Sequence, residues 1–131
     1  MKKQIQIKIL PALVAILFLI IFLSCSHNPV GVSSLATICF ESQVLPIFQT
    51  NCAIAGCHEG ERGKGGYVFD SYSTIMKAVT PNEPKKSKAY QYIVNTWIHF
   101  MPPSPHQPLS SEQRTLIAVW IEQGANDTSC P

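Results

Sequence analysis

The sequence of 131 residues predicts one small all-α domain with long loops. Apolar residues recur at helical spacing in two stretches, one ending near residue 51 and one beginning near residue 110. Between them lie a segment with four glycines and a segment with prolines at positions 102, 103, 105 and 108. No pair of stretches alternates convincingly between apolar and polar residues, so we predict no strands.

The first 24 residues have the pattern of a secretory signal. Lysines precede a run from residue 9 to 23 that is almost all apolar and has the length of a signal core rather than of a membrane-spanning helix. The run ends in Phe-Leu-Ser-Cys, so Cys25 follows a small residue as the lipidated cysteine of a bacterial lipoprotein does. Phe22 stands where leucine is usual, which leaves ordinary cleavage or a retained anchor open. We expect an exported, periplasmic protein tethered to a bacterial membrane through a lipid on Cys25.

The basic character of the chain belongs to this signal. Removing residues 1–24 takes away three of the ten Lys and Arg and none of the eight Asp and Glu, so the formal charge moves from +2 to −1. We therefore predict no nucleic-acid partner, and the cluster of Lys85, Lys86 and Lys88 is interpreted as a solvated turn. Residues 25–38, rich in Ser, Asn, Pro and Gly, are predicted to be a lipidated cysteine followed by a flexible tether, and residues 39–131 to be the domain.

Four helices are predicted within the domain. The first covers residues 42–51, with Pro46 in its first turn, and two short ones cover residues 73–79 and 87–95, each opened by a capping serine. The last follows a capping box of Ser110 and Gln113 and ends at Gly124. Its apolar face is expected to pack on the first helix.

The chemistry-bearing motif is Cys52-Ala-Ile-Ala-Gly-Cys57-His58. Cys-x-x-Cys-His is the attachment signature of c-type haem, in which two thiols add across the vinyl groups and the adjacent histidine becomes an axial iron ligand. Here the spacer has four residues, and its small side chains would let the extra residues bulge. A Cys52–Cys57 disulfide and a zinc site with His58 are the alternatives, although zinc needs a fourth ligand that the pattern does not supply. An iron–sulfur site of the Cys-x4-Cys type fails because Gly60 stands where a third cysteine is needed.

A second axial ligand is predicted in the proline-rich segment. Met101-Pro102-Pro103 would present a thioether on a stiff loop, and His/Met ligation raises the reduction potential relative to bis-His ligation. His99 is the competing ligand and Met76 a weaker one, whereas His27 and His106 are predicted to be exposed.

Three patterns together resemble the cytochrome c-like domains of bacterial exported lipoproteins. They are Val-Leu-Pro-Ile-Phe-x-x-Asn-Cys-Ala-x-x-Gly-Cys-His, the later Met-Pro-Pro, and the closing Leu-Ser-x-x-Gln-x-x-x-Ile-x-x-Trp-Ile-x-x-Gly-Ala. The resemblance covers residues 39–130. It implies an all-α fold with crossing terminal helices around one haem c per chain, attached to Cys52 and Cys57 and ligated by His58 and Met101. The long spacer departs from the usual attachment motif.

The resemblance leaves two cysteines without a role. With Cys25 assigned to the lipid and Cys52 and Cys57 to haem, Cys39 and Cys130 remain at the two ends of the domain. Crossing terminal helices would bring these ends together, and we therefore predict a Cys39–Cys130 disulfide.

The predicted function is that of a membrane-anchored electron carrier rather than an enzyme, working with a redox partner protein that the sequence does not identify. Two alternatives stay open. One is a haem peroxidase or small-ligand sensor with an open distal site, to which His99 would contribute a polar group. The other is a non-haem domain held by zinc or a disulfide.

Overall fold

The computed structural model describes residues 35–95 and 99–130. All of them belong to a compact unit that spans residues 31–131. The signal at 1–24, the lipidation site Cys25, and His27 with the tether as far as residue 34 lie outside the described residues.

Helices and connecting loops make up the described domain. A π-helical turn at Phe40–Val44 runs into helix α1 at Leu45–Asn51, and it is followed by α2 at Tyr72–Ile75, α3 at Lys88–Val94 and α4 at Ser111–Glu122. Short 3₁₀ turns lie at Lys64–Gly66, Met76–Ala78 and Pro84–Lys86. Residues 35–95 and 99–130 contain no strand, and the predicted all-α class is confirmed.

The first helical segment starts two residues before its predicted position. The N–H of Leu45 bonds to the carbonyl of Phe40, five residues back, which is the hydrogen-bond pattern of a π-turn. Pro46 follows in the first turn of α1, where its missing N–H removes little helical bonding. The wider π-turn departs from the 3.6-residue period, which is why periodicity alone missed the start at Phe40.

The last helix agrees with its predicted signals at both ends. The N–H of Gln113 donates to Ser110 Oγ at 3.2 Å, and the N–H of Ser110 donates to Gln113 Oε1 at 2.9 Å. Gly124, two residues after the end of α4, has a φ of 99°, a conformation that favours glycine. The predicted capping box and the predicted end of this helix are therefore confirmed.

Of the two predicted serine caps of the middle helices, Ser73 is wrong, whereas Ser87 does occupy the N-cap position. Helix α2 begins at Tyr72, so its N-cap is Ser71, whose N–H donates to Thr74 Oγ1 at 3.2 Å, and Ser73 lies inside the helix. Ser87 does precede α3, but its hydroxyl makes no capping bond. It is fully buried and accepts from the N–H of Thr80 at 2.8 Å, so it ties α3 to the preceding loop.

The first and last helical segments pack against each other, as predicted. The rings of Phe40 and Trp120 lie 5.3 Å apart, and Tyr72 meets Phe40 edge-on at 5.1 Å. Ile117 and Ile121 of α4 are fully buried beside them. Burying each such aliphatic side chain contributes about 1.5–3 kcal/mol, so this contact forms a main part of the core.

The two ends of the domain are joined covalently and by hydrogen bonds. A disulfide links Cys39 to Cys130, with the two Cα atoms 5.7 Å apart. The side chain of Gln123 accepts from the N–H of Ile38 at 2.9 Å and donates to the carbonyl of Ala36 at 3.0 Å. The last residues of the predicted tether therefore contact the domain.

Candidate functional site

A cavity of about 450 Å³ lies between the segment after α1, the glycine-rich loop, α3 and the proline-rich loop. Its volume falls within the range of cofactor and ligand pockets. Much of its wall is apolar. The apolar residues that line it include Phe48, Ile54, Phe69, Ala78, Ala89 and Ile93.

Four of the residues predicted from the sequence line this cavity together, namely Cys52, Cys57, His58 and Met101. The first three come from the segment after α1, and Met101 comes from a loop more than forty residues later. The fold therefore brings two thiols, an imidazole and a thioether to the wall of one cavity.

The four-residue spacer is folded back on itself. The N–H of Cys57 bonds to the carbonyl of Ile54 at 2.9 Å, and the N–H of His58 bonds to the carbonyl of Cys52 at 3.2 Å. Gly56 has a φ of 77° within this turn. The extra residues thus form a compact bulge between the two cysteines.

The two thiols are free and differ in their surroundings. Cys52 is buried, whereas Cys57 is partly exposed. Burial and, to a lesser extent, the neighbouring Cys57 together raise the pKa of Cys52 from its ordinary 9.0 to about 12. Cys52 is therefore a neutral thiol at physiological pH.

The orientation of His58 is set by backbone outside the motif. Its Nδ1 lies 2.9 Å from the carbonyl oxygen of Tyr67, which only accepts, so Nδ1 carries the proton in this bond. The ring of Phe69 lies 4.8 Å from the imidazole. In the neutral ring, Nε2 keeps its lone pair and is the nitrogen that could bind a metal ion.

The loop between His58 and Phe69 is tied to the motif at two points. The N–H of Lys64 bonds to the carbonyl of Cys57 at 2.7 Å, and the N–H of Phe69 bonds to the carbonyl of His58 at 3.1 Å. The predicted glycine-rich loop therefore closes back on residues 52–58. Sequence reasoning missed Tyr67 and Phe69, since no periodic signal connects them to His58.

Met101 is partly buried and packs against the hydrophobic core. Pro102 and Pro103 line the cavity beside it. Met76, the weaker candidate, packs against the same core and is not among the lining residues.

Two exposed histidines also line the cavity. His99 was predicted as a competitor of Met101, and it shares the lining. His106, predicted to be merely exposed, is exposed and lines the cavity as well. Its position five residues after Met101 in the proline-rich segment was the signal that could have identified it.

The charged side chains of the lining are positive. Lys64 and Lys88 line the cavity, and among the described residues no Asp or Glu does so. The ammonium of Lys88 lies 5.8 Å from the centre of the Tyr67 ring, within reach of a cation–π contact. This wall suits a ligand that is largely apolar and carries negative groups at its edge.

No group of three or more His, Cys, Asp and Glu side chains within residues 35–95 and 99–130 has the arrangement of a metal site. In the same ranges, no helix has both the length and the apolar character needed to cross a membrane.

An apolar cavity that gathers a Cys-His pair, a second thiol and a methionine thioether within an all-α domain is typical of a cytochrome c-like domain. Residues 55–105 match a family described as Planctomycete cytochrome C. The match includes Cys57, His58 and Met101 and begins after Cys52. It supports a cytochrome c-like domain in this part of the chain and, with it, a haem-binding electron carrier. No curated protein and no solved structure matches the chain.

Proposed function

We propose that this protein is an exported, membrane-anchored c-type cytochrome that transfers single electrons. Haem c, one per chain, would be attached through Cys52 and Cys57, with His58 and Met101 as the axial ligands. A bound haem supplies one-electron chemistry through its iron, and the chain supplies ligands, orientation and an apolar enclosure.

The observation that carries this proposal is the shared cavity. Cys52, Cys57 and His58 line the same space of about 450 Å³ as Met101, although Met101 is distant in sequence. The donor set also fits, since two thiols, an imidazole with a free Nε2 and a thioether are the groups that a His/Met-ligated c-type haem requires.

The remaining wall residues have separate tasks in this proposal. Phe48, Phe69 and Ile93 line the cavity with apolar groups and would limit the access of water to a bound haem, which affects its reduction potential. Lys64 and Lys88 would face the two carboxylates that a haem carries, because a positive rim suits negative groups. The hydrogen bond from His58 to Tyr67 would hold the imidazole in one orientation.

The anchoring part of the proposal depends on the sequence pattern. The basic residues, the apolar run and the Ser-Cys pair at 24–25 support export followed by lipidation of Cys25. The partner would be a redox protein at the same membrane surface.

A haem stain after denaturing electrophoresis tests the proposal. The full chain is exported in a host with cytochrome c maturation genes, next to a variant with Cys52→Ser and Cys57→Ser. Colour that survives denaturation in the parent and is lost in the variant is the expected result, and a pyridine haemochrome spectrum should identify haem c. A colourless, fully exported parent would refute the proposal and favour a non-haem domain.

A haem peroxidase or small-ligand sensor is the second candidate, and the two histidines at the cavity favour it. His99 and His106 would supply polar groups near an open distal position. Rapid binding of carbon monoxide to the reduced protein would support this function, whereas a slow or absent reaction would support a closed His/Met site and electron transfer.

A further inference from the structure

Gly63 lies closer to the Tyr67 carbonyl than any side chain would permit. A Cβ atom built on Gly63 would stand 1.9 Å from Tyr67 O, 2.8 Å from the carbonyl carbon of Tyr67 and 3.3 Å from the Cα of His58. These atoms belong to the backbone, so they cannot rotate away as the end of a flexible side chain does. Any residue with a Cβ atom at position 63 must displace the Tyr67 carbonyl or the loop itself.

The backbone conformation of Gly63 points to the same requirement. Its φ of 51° and ψ of 164° lie in a region that L-residues with a side chain avoid. The next N–H along the chain, that of Lys64, bonds to the carbonyl of Cys57 at 2.7 Å. Gly63 thus lies directly before the residue that bonds to Cys57, and a Cβ on it would contact the Cα of His58.

The displaced group would be the acceptor that orients His58. Tyr67 O accepts from His58 Nδ1 at 2.9 Å, and hydrogen bonds weaken steeply once their distance and angle leave the normal range. Relieving a 1.9 Å contact requires a movement of more than an ångström, which this hydrogen bond would not survive unchanged. The proton on Nδ1 would then lose its fixed partner.

We propose that Gly63 is a positioning residue for His58, acting through the Tyr67 carbonyl. The inference rests on the proposed function, because its consequence concerns an imidazole that binds iron. An acceptor on Nδ1 makes the imidazole a stronger donor through Nε2 and thereby favours the oxidised iron. Glycine at position 63 would therefore help to set the reduction potential.

The test compares Gly63→Ala with two other glycine variants of the same loop in the haem-loaded protein. Gly60 and Gly66 each have a φ of 80°, but a Cβ on either would meet no atom within 4 Å. Gly60→Ala and Gly66→Ala thus impose backbone strain without the contact with Tyr67. The readouts are haem content, reduction potential, and the NMR signals of the His58 ring in the reduced protein.

Gly63→Ala should raise the reduction potential and shift the His58 signals, and both changes should exceed those of the two controls. A Gly63→Ala protein that carries haem and matches the controls in potential and His58 signals overturns the inference while leaving the proposed function intact. A parent that carries no haem refutes the proposed function instead, and the haem stain separates these two failures.

If Gly63→Ala accumulates without haem, the inference is tested on the haem-loaded parent protein instead. Its His58 Nδ1 proton should exchange slowly with solvent, because the Tyr67 carbonyl held by Gly63 covers it. Exchange as fast as that of a free imidazole would overturn the inference.

Discussion

The amide of Met101 donates a hydrogen bond to the carbonyl of Tyr92 at 2.9 Å, which fixes the start of the proline-rich loop to α3. Both residues line the cavity. Because the bond uses backbone atoms, it holds the loop whatever side chain stands at position 101. This backbone contact and the prolines that follow it therefore place the Met101 thioether at the cavity wall.

Met101→Ala is expected to keep the haem attached and to lower the reduction potential. The backbone bond to Tyr92 survives the substitution, so the change is confined to the loss of the thioether, whose ligation raises the potential. Potentiometric titration with optical spectra is the measurement. His99→Ala serves as the control and should leave both potential and spectrum unchanged.

The opposite pattern would assign the ligand differently. If His99→Ala alters the spectrum and Met101→Ala does not, His99 is the distal ligand. If neither variant changes it, the sixth position is open to solvent or to an external ligand, as the sensor candidate requires.

Replacing both Cys39 and Cys130 by Ala should destabilise the holoprotein by about 2–5 kcal/mol, since their disulfide closes a loop with a sequence separation of 91. Denaturant unfolding followed by circular dichroism measures the effect. Cys52 and Cys57, the proposed attachment sites, are untouched, so haem content should match the parent. An unchanged unfolding midpoint would show that two hydrogen bonds hold these ends without the disulfide, one from the N–H of Ile38 to Gln123 and one from the N–H of Phe40 to Thr128 Oγ1.

The Ser110→Ala variant should cost about 1 kcal/mol of stability, because the hydroxyl of Ser110 accepts from the first turn of α4 at Gln113. Ser111→Ala is a matched control, since Ser111 is exposed and its hydroxyl contacts the neighbouring Glu112 carboxylate. Thermal unfolding of the two variants measures the difference. Equal melting temperatures would mean that the cap contributes little once α4 is packed.

The sequence predicted the last helix well because it has a long apolar face and a local signal at each end. The signals at its two ends, Ser110 with Gln113 and Gly124, depend on residues close in sequence. They can therefore be recognised without knowledge of the fold. The four-residue helix α2 offers little more than one turn, and two nearby serines compete for its cap. Short helices of this kind are set by packing around them, which the sequence does not display.

The sequence likewise predicted some residues of the candidate site and missed others. Cys52, Cys57 and His58 lie within seven consecutive positions, so their chemistry could be predicted directly. Tyr67 acts on His58 through a carbonyl, and every residue type carries one, which leaves no compositional signal. The need for glycine at position 63 likewise depends on a backbone approach that only the folded loop reveals.

The Cys52 thiol should react slowly in the folded, haem-free chain. Burial raises the pKa of Cys52 from 9.0 to about 12, so in the folded, haem-free chain only about one Cys52 thiol in ten thousand is ionised at pH 8. The thiolate is the reactive form, and unfolding returns Cys52 to water and to its ordinary pKa. Alkylation of Cys52 by iodoacetamide should therefore be slow in buffer and much faster in denaturant.

The same shift predicts how stability depends on pH. Below pH 9 the Cys52 thiol is protonated in both the folded and the unfolded haem-free chain, and its contribution is fully present. Between pH 9 and about 12 the unfolded chain loses this proton first, so folding stability should fall as the pH rises. A Cys52→Ala chain should lack this part of the alkaline loss. Urea unfolding of the parent and of Cys52→Ala at pH 8 and pH 10 measures this loss of stability. Mass spectrometry of alkylated peptides measures the reactivity of Cys52, and equal alkylation with and without denaturant would contradict its burial.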